Sequence, residues 1–326
     1  MTILIDIIAI LAGFGFLIWS ADHFVTGASA TARNLGVSPL IIGLTIVGFG
    51  TSAPELLVAA FAASEGSPGL AVGNAIGSNI TNIALVLGCT AMVAPMIVHS
   101  SILKREYPLL FLATLLVTLL IAFDNHLGWL DALIFASTLL FIMFWLIRQA
   151  MKNRSTDPLI AEFEHEIPSQ MPMKKALWLL FSGIIVLMLS SRLLVWGAVN
   201  IATELGVSDL IIGLTIVAIG TSLPELAASI MSALKKEHDI ALGNIIGSNM
   251  FNTLGVLGIT GLIHPAELAS GVLSRDLPLM IILTLLLFFM ASGFRGEGKI
   301  TRAEGSILLA IFITYEVLLY TEVAGG

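Results

Sequence analysis

Val37–Leu56 reads VSPLIIGLTIVGFGTSAPEL, and Val207–Leu226 reads VSDLIIGLTIVAIGTSLPEL. The two agree at sixteen of twenty positions, at an offset of 170. A second pair keeps that offset. AVGNAIGSNITNIALVLG (Ala71–Gly88) and ALGNIIGSNMFNTLGVLG (Ala241–Gly258) agree at eleven of eighteen positions. Gly27/Gly197, Pro95/Pro265, Arg105/Arg275 and Pro108/Pro278 echo it more weakly. Self-similarity at one fixed spacing is the mark of a duplication. The chain therefore divides into a first half, 1–149, a polar linker, 150–175, and a second half, 176–326.

The flanks say where this duplication lives. Of 326 residues, 57% are hydrophobic and 11% are charged. Soluble domains carry about 25% charged residues, so this chain lacks the charge to cover a water-facing surface. A helix needs about 20 apolar residues to cross the hydrocarbon core. Ten candidates run near 2–30, 38–63, 69–94, 107–123, 127–149, 176–201, 207–233, 239–263, 278–293 and 304–322. The fourth and ninth are short and are expected to stand nearly upright or lean on neighbours. The start, MTILIDIIAILAGFGFLIWS, has no basic n-region and reads as the first span. The expected fold is an all-α polytopic membrane protein. Five spans per half is an odd number, so the second half enters from the opposite side, and the ten transmembrane helices form two inverted-topology five-helix repeats.

Charge fixes the orientation. With the N-terminus outside, thirteen of the fifteen Lys and Arg fall on inside loops, Arg275 falls outside and Arg192 within a span. This positive-inside bias predicts both termini on the extracytoplasmic side of a cell membrane and the 150–175 loop in the cytoplasm. A net charge of −7 excludes the basic footprint of a nucleic-acid binder. The single cysteine, Cys89, permits no intrachain disulfide.

The chemistry concentrates on the duplicated polar segments. Gly50-Thr51-Ser52-Ala53-Pro54-Glu55 sits inside the second span, and Gly220-Thr221-Ser222-Leu223-Pro224-Glu225 inside the seventh. Proline lacks an N–H and clashes with the carbonyl four residues back. Pro54 should free carbonyls at Gly50 and Thr51, and Pro224 those at Gly220 and Thr221. Within a membrane such carbonyls must find a partner or line a cavity. Glu55 and Glu225 follow the breaks, and an ionisable group deep in a span marks a functional site. In the third and eighth spans, Asn74, Ser78 and Asn82, and Asn244, Ser248 and Asn252, repeat every four residues on one face. Gly73-x-x-x-Gly77 and Gly243-x-x-x-Gly247 lie beside them and permit close helix approach. For Asn74 and Asn244 the alternative reading is interhelical hydrogen-bond glue. Ser78, Asn82, Ser248 and Asn252 are the better candidates to face the carboxylates.

Together the halves offer two carboxylates, hydroxyls, amide oxygens and carbonyls, with no thiolate and no His matched in the other half. An all-oxygen set suits hard cations, and Ca²⁺ takes 6–8 oxygens in flexible geometry. Two carboxylates neutralise one Ca²⁺, and Na⁺ can compete for the same oxygens.

The paired GTSxPEL and GNxxGSNxxN motifs resemble the alpha-repeats of sodium/calcium exchangers in the calcium/cation antiporter superfamily, over essentially the whole chain. The short 150–175 loop matches the compact prokaryotic form. The resemblance implies alternating access, with the first and sixth helices sliding against a rigid bundle. It implies Glu55 and Glu225 as central Ca²⁺ ligands, with backbone carbonyls from Thr51 and Thr221. It further implies Ser52, Ser78, Ser222 and Ser248 in Na⁺ sites with the carbonyls of Gly48 and Ala218, and Asn82 as a polar neighbour. Several family members carry Asp where this chain has Asn252, so only two acids remain in the cluster.

The expected function is Na⁺-driven Ca²⁺ antiport at the midplane, without a resident cofactor. The alternative on this scaffold is an H⁺/Ca²⁺ or K⁺-dependent antiporter. An intramembrane hydrolase is disfavoured: the chain has no HExxH or GxSxG motif, and near-identical motifs do not give an acid and a base distinct environments. A channel remains open in principle. Asp22 and Arg192 occupy equivalent positions with opposite charge. Snorkelling to an interface is the simpler reading, and a bias toward one access state is the other.

Overall fold

Inside lipid, every backbone N–H and C=O must be satisfied within the structure, and helices do this segment by segment. The computed structural model describes residues 2–37, 39–66, 68–98, 100–152, 171–204, 218–268, 271–292 and 298–325. The first half holds α1 (Thr2–Leu35), α2 (Leu40–Thr51), α3 (Ala53–Ser64), α4 (Pro68–Val93), α5 (Ser100–Asp124) and α6 (Trp129–Lys152). The second holds α7 (Met173–Glu204), α8 (Ala218–Thr221), α9 (Leu223–Leu234), α10 (His238–Ile263), α11 (Val272–Ala291) and α12 (Arg302–Gly325). Among the described residues, eight helices are long and apolar enough to cross a membrane, or nine when α2 and α3 count as one bent span. The chain is a multi-pass, mostly helical membrane protein. The linker at 153–170 and the start of the expected seventh span, 207–217, lie outside the described residues.

The expected fourth and ninth spans are not short. α5 begins at Ser100, and α11 begins at Val272 in a π turn, Val272–Asp276. Reading the apolar run alone stopped at Arg105 and Arg275, but charged residues continue the helix. Arg275 Nε bonds Asp276 Oδ1 at 2.7 Å, and Tyr315 donates to the same oxygen at 3.0 Å. That pairing lets charge sit in the first turns of α11.

α4 and α10 form the centre. In their apolar windows 72% and 83% of residues are buried, against 22–39% for the other long helices. They run antiparallel. The first half of α4 packs on Phe251–Ile263 of α10, and the first half of α10 packs on Asn82–Leu87 of α4. α1 and α7 pair antiparallel along their length, brought together at glycines. A Cβ on Gly13 would lie 2.9 Å from Leu194 Cβ, and one on Gly183 would lie 2.7 Å from Phe24 Cα. Gly27 abuts Leu180 and Ala176, and Gly197 abuts Asp6 and Ile10. Each of these contacts maps onto its partner at the offset of 170.

Two strand pairs close the ends. β1 (Met96–Val98) pairs antiparallel with β4 (Gly298–Ile300), and β2 (His126–Leu127) with β3 (Ala266–Glu267).

Candidate functional site

The two prolines break their helices as the sequence requires. α2 and α3 meet at a bend of 42°, with Ser52 at φ −84°, ψ 2°. Ser222 adopts nearly the same conformation, φ −89°, ψ 3°. The break falls between Thr51 and Glu55, so Thr51 closes one helix and Glu55 opens the next. Both glutamates stand in the first turn of a helix, where the positive end of the backbone dipole favours a carboxylate. Ser52-x-x-Glu55 has the spacing of a capping box, yet Ser52 makes no side-chain cap bond. Its hydroxyl reaches the other half instead, donating to Glu225 Oε1 at 3.3 Å.

Glycines make that reach possible. α2 crosses α10 with backbone on backbone: a Cβ on Gly43 would sit 2.9 Å from Ile240 O, and one on Gly247 would sit 2.5 Å from Leu44 O. The crossing brings Thr51 Oγ1 to 3.2 Å from Ser248 Oγ and to 3.0 Å from Asn244 Oδ1. Ser248 Oγ lies 3.5 Å from both Gly48 O and Glu225 Oε1. The small-xxx-small pattern of Gly243 and Gly247 thus seats on α2. The counterpart contacts of Gly73 and Gly77 would fall on residues outside the described set.

Thr51, Ser52, Glu55, Asn82, Ser222, Glu225, Ser248 and Asn252 are all buried to within 1% exposure, and Ser78 to 5%. Thr221 is half-buried, and Ala218 opens α8. The Glu55 and Glu225 carboxylates are near enough to interact electrostatically. Both Glu55 oxygens, Glu225 Oε2, Ser222 Oγ and both amide atoms of Asn82 and Asn252 have no hydrogen-bond partner among the described residues. Buried polar groups are almost always paired, so this concentration of unpaired oxygens is the chemical signature of a place built for a ligand. A cation that accepts oxygens from all sides fits it. Among the described residues no group of three His, Cys, Asp or Glu side chains could hold a metal, so any cation here rests on two acids and neutral oxygens.

The asparagines divide by role. Asn74 Nδ2 donates to Glu55 O at 3.3 Å, and Asn244 Nδ2 to Glu225 O at 3.4 Å. They hold the glutamate backbone in each half, the glue reading of those two positions. Asn82 opens the π turn Asn82–Leu87, and Asn252 lies in the π turn Phe251–Val256. Such bulges turn side chains off the α-helical face and favour functional sites.

Two residues escaped the sequence reading. Ser191 of α7 donates to Gly220 O at 2.7 Å, catching the carbonyl that Pro224 frees. Ser229 accepts from Asn244 Nδ2 at 3.0 Å. Ser229 stands one turn after Glu225, a spacing that could have flagged it. Ser191 had no local signal. A separate cavity of about 920 Å³ between α2, α6 and α7 is lined by apolar side chains such as Phe49, Met143 and Ile184. It contains none of these oxygens apart from the neighbouring Gly50 and does not belong to the site.

Comparison with known proteins agrees with the motifs. The family model described as sodium/calcium exchanger protein matches residues 5–148 and 175–321. A chain of Alkalimonas amylolytica named as an antiporter, CaxA, is 49% identical over 98% of this chain and 100% of its own. The sodium/calcium exchanger MaX1 of Methanosarcina acetivorans is 32% identical over 98% and 99%. The solved structure of the sodium-calcium exchanger NCX_Mj soaked with zero Na⁺ and Ca²⁺ superposes with a TM-score of 0.83, at 32% identity, covering 97% of this chain and 99% of that one. With the motifs, the buried oxygen cluster and these full-length matches in hand, the chain belongs to the sodium/calcium exchanger family, in its compact prokaryotic form.

Proposed function

We propose that this protein is a secondary active antiporter that exchanges Na⁺ for Ca²⁺ by alternating access. The carrying observation is the Ser52 hydroxyl 3.3 Å from Glu225 Oε1: one half's break touches the other half's acid inside the protein. Ca²⁺ sits between Glu55 and Glu225, helped by the carbonyls of Thr51 and Thr221. Na⁺ uses Ser52, Ser78, Ser222 and Ser248 with the carbonyls of Gly48 and Ala218, and Asn82 and Asn252 turn neutral oxygens toward the cluster. Because the ligand sets overlap, binding one ion empties the site of the other, and competition becomes coupling. The site lies near the bilayer midplane, where broken spans place their termini in antiporters built from repeats.

The architecture in this reading is ten spans, as two inverted five-helix repeats at 1–149 and 176–326 joined by a cytoplasmic linker at 150–175. The antiparallel pairing of α1 with α7, and of α4 with α10, supports it. The strand pairs support the sidedness. β1 and β4 both lie on loops that the positive-inside pattern puts in the cytoplasm, and β2 and β3 both lie on loops it puts outside. Both chain ends are then extracytoplasmic.

The test is Ca²⁺ uptake into vesicles loaded with Na⁺, K⁺ or protons and diluted into Ca²⁺. Uptake driven by the Na⁺ gradient well above the K⁺ and proton arms is the expected result. Uptake that follows the proton gradient alone would transfer the chain to H⁺/Ca²⁺ exchange.

A further inference from the structure

The offset that relates Asp22 to Arg192 also relates Glu65 to Lys235, so the repeat carries two acid–base pairs with their signs exchanged. The equivalence is structural as well. Glu65 caps the end of α3 and Lys235 the end of α9, with N–H bonds to Phe61 O at 2.9 Å and Met231 O at 3.0 Å. The residue after each, Gly66 at φ 77° and Lys236 at φ 63°, is left-handed.

One pair is closed. Lys235 Nζ lies 2.7 Å from Asp22 Oδ1 and also donates to Thr26 Oγ1 at 2.6 Å and Asp22 O at 3.1 Å. The other is open. Neither the Glu65 nor the Arg192 side chain makes an ion pair or hydrogen bond among the described residues, and both are exposed. The backbones follow the charges. α1 packs along α9 and buries Ala228 among Ala21, Phe24 and Ala28, whereas α7 and α3 make no comparable contact. Met231 is half-buried against the α1 cluster, but its counterpart Phe61 is 67% exposed. A carboxylate at a helix C-terminus opposes the backbone dipole, so Glu65 contributes nothing to α3 by standing there alone. The repeat places Arg192 where it can answer that charge.

We propose that Asp22–Lys235 and Glu65–Arg192 are alternately closed latches, one on each membrane face, that position α1 and α7 in the two access states. This structure has the Lys235 face shut and the Glu65 face open. The proposal rests on the alternating-access reading above. With side chains 29% and 49% exposed, the closed pair contributes little to overall stability. A latch needs only a difference between two states that are close in free energy, and a few-fold shift in population is enough to change turnover.

The test uses the full chain with Cys89→Ala and one reporter cysteine, Phe61→Cys on one face or Met231→Cys on the other, in vesicles with a membrane-impermeant maleimide. Each latch is read from the face opposite its substitution, where a local effect on the thiol is absent. Lys235→Glu should slow labelling of Phe61→Cys several-fold, because the Lys235 face no longer stays shut. Arg192→Glu should slow labelling of Met231→Cys several-fold, because the Glu65 face no longer closes. Adding Asp22→Lys to Lys235→Glu should restore the parental rate, which a misfolded chain could not do. The proposal is overturned if opposite-face labelling is unchanged, or if the charge reversal fails to restore it. If labelling in the parental chain does respond to exchanging Na⁺ for Ca²⁺, such a failure removes the latches alone. If the parental reporters never respond to either ion, alternating access falls with them.

Discussion

The break at Ser52 and the break at Ser222 share most of their residues and differ in their surroundings. At the second, Glu225 Oε1 takes a hydroxyl from Ser52 and lies near another on Ser248. At the first, neither oxygen of Glu55 makes a close hydrogen bond among the described residues, and Thr221 is the hydroxyl set nearest to it. Ser52 N–H bonds back four residues to Gly48, while Ser222 N–H bonds back three to Ile219. The carbonyl freed at Gly220 is held by Ser191, and the residue equivalent to Ser191 is Ala21, which has no hydroxyl. Near-identical sequence thus meets unlike environments. Part of the asymmetry is written in the sequence, as Ala21 against Ser191, and the rest is the difference that the proposed access state, with one face shut and the other open, imposes on two like motifs.

The largest effect should erase the comparison altogether. Glu55→Gln and Glu225→Gln each remove one of two charges facing a divalent cation. A unit charge pair at about 4 Å and an effective dielectric of about 20 interacts by about 4 kcal/mol. Ca²⁺ uptake should fall more than about 100-fold in either variant, with the protein still monodisperse in detergent. Near-normal uptake in one of them would mean the copies are not equivalent in function.

Next is Gly247→Ala. Its Cβ would stand 2.5 Å from Leu44 O, a backbone atom with no room to yield. The first break would be pushed off Ser248 at a cost of about 2 kcal/mol, visible as a lower melting temperature together with weaker Ca²⁺ uptake. A third variant pair weighs the copies directly. Ser52→Ala removes a hydrogen bond to a carboxylate, worth about 1.5 kcal/mol, and should raise the half-saturating Ca²⁺ concentration roughly tenfold. Ser222→Ala should cost less from the Glu65 face, since its hydroxyl has no partner among the described residues. Equal effects would show that the asymmetry seen here carries no weight in the cycle. The smallest change is Ser191→Ala, which leaves Gly220 O unheld. Interhelical hydrogen bonds in membranes average about 0.6 kcal/mol, so the melting temperature should drop by a degree or two. Ala21→Ser would offer Gly50 the equivalent hydroxyl and should shift it by no more than that in the other direction.

Much of this was legible beforehand because the duplication leaves marks that period and offset reveal. The breaks at Pro54 and Pro224, the burial of both acids and the glue role open to Asn74 and Asn244 all follow from residue chemistry that acts locally. What was not legible depends on contacts far apart in the chain. The apolar runs of α5 and α11 hid helical turns that begin among charged residues, because Asp276, paired with its neighbour Arg275, meets Tyr315 only in the folded state. Ser191 was invisible because its partner is 29 residues away in a different helix. The π turns at Asn82 and Phe251 leave no mark that composition or period detects. Asp22 seemed a snorkelling residue because only the fold brings Lys235 to it.

The two short ribbons bear on how the protein divides its labour. β1 and β4 tie the α4–α5 connection to the α11–α12 connection, and β2 and β3 tie α5–α6 to α10–α11. The two ribbons share α5 and α11, lie at opposite ends of α5, and neither is formed by a connection of α1 or α7. That pair is bound to itself along its length and lies outside both ribbons. In the alternating-access reading proposed above, it is free to slide against the helices that the ribbons tie.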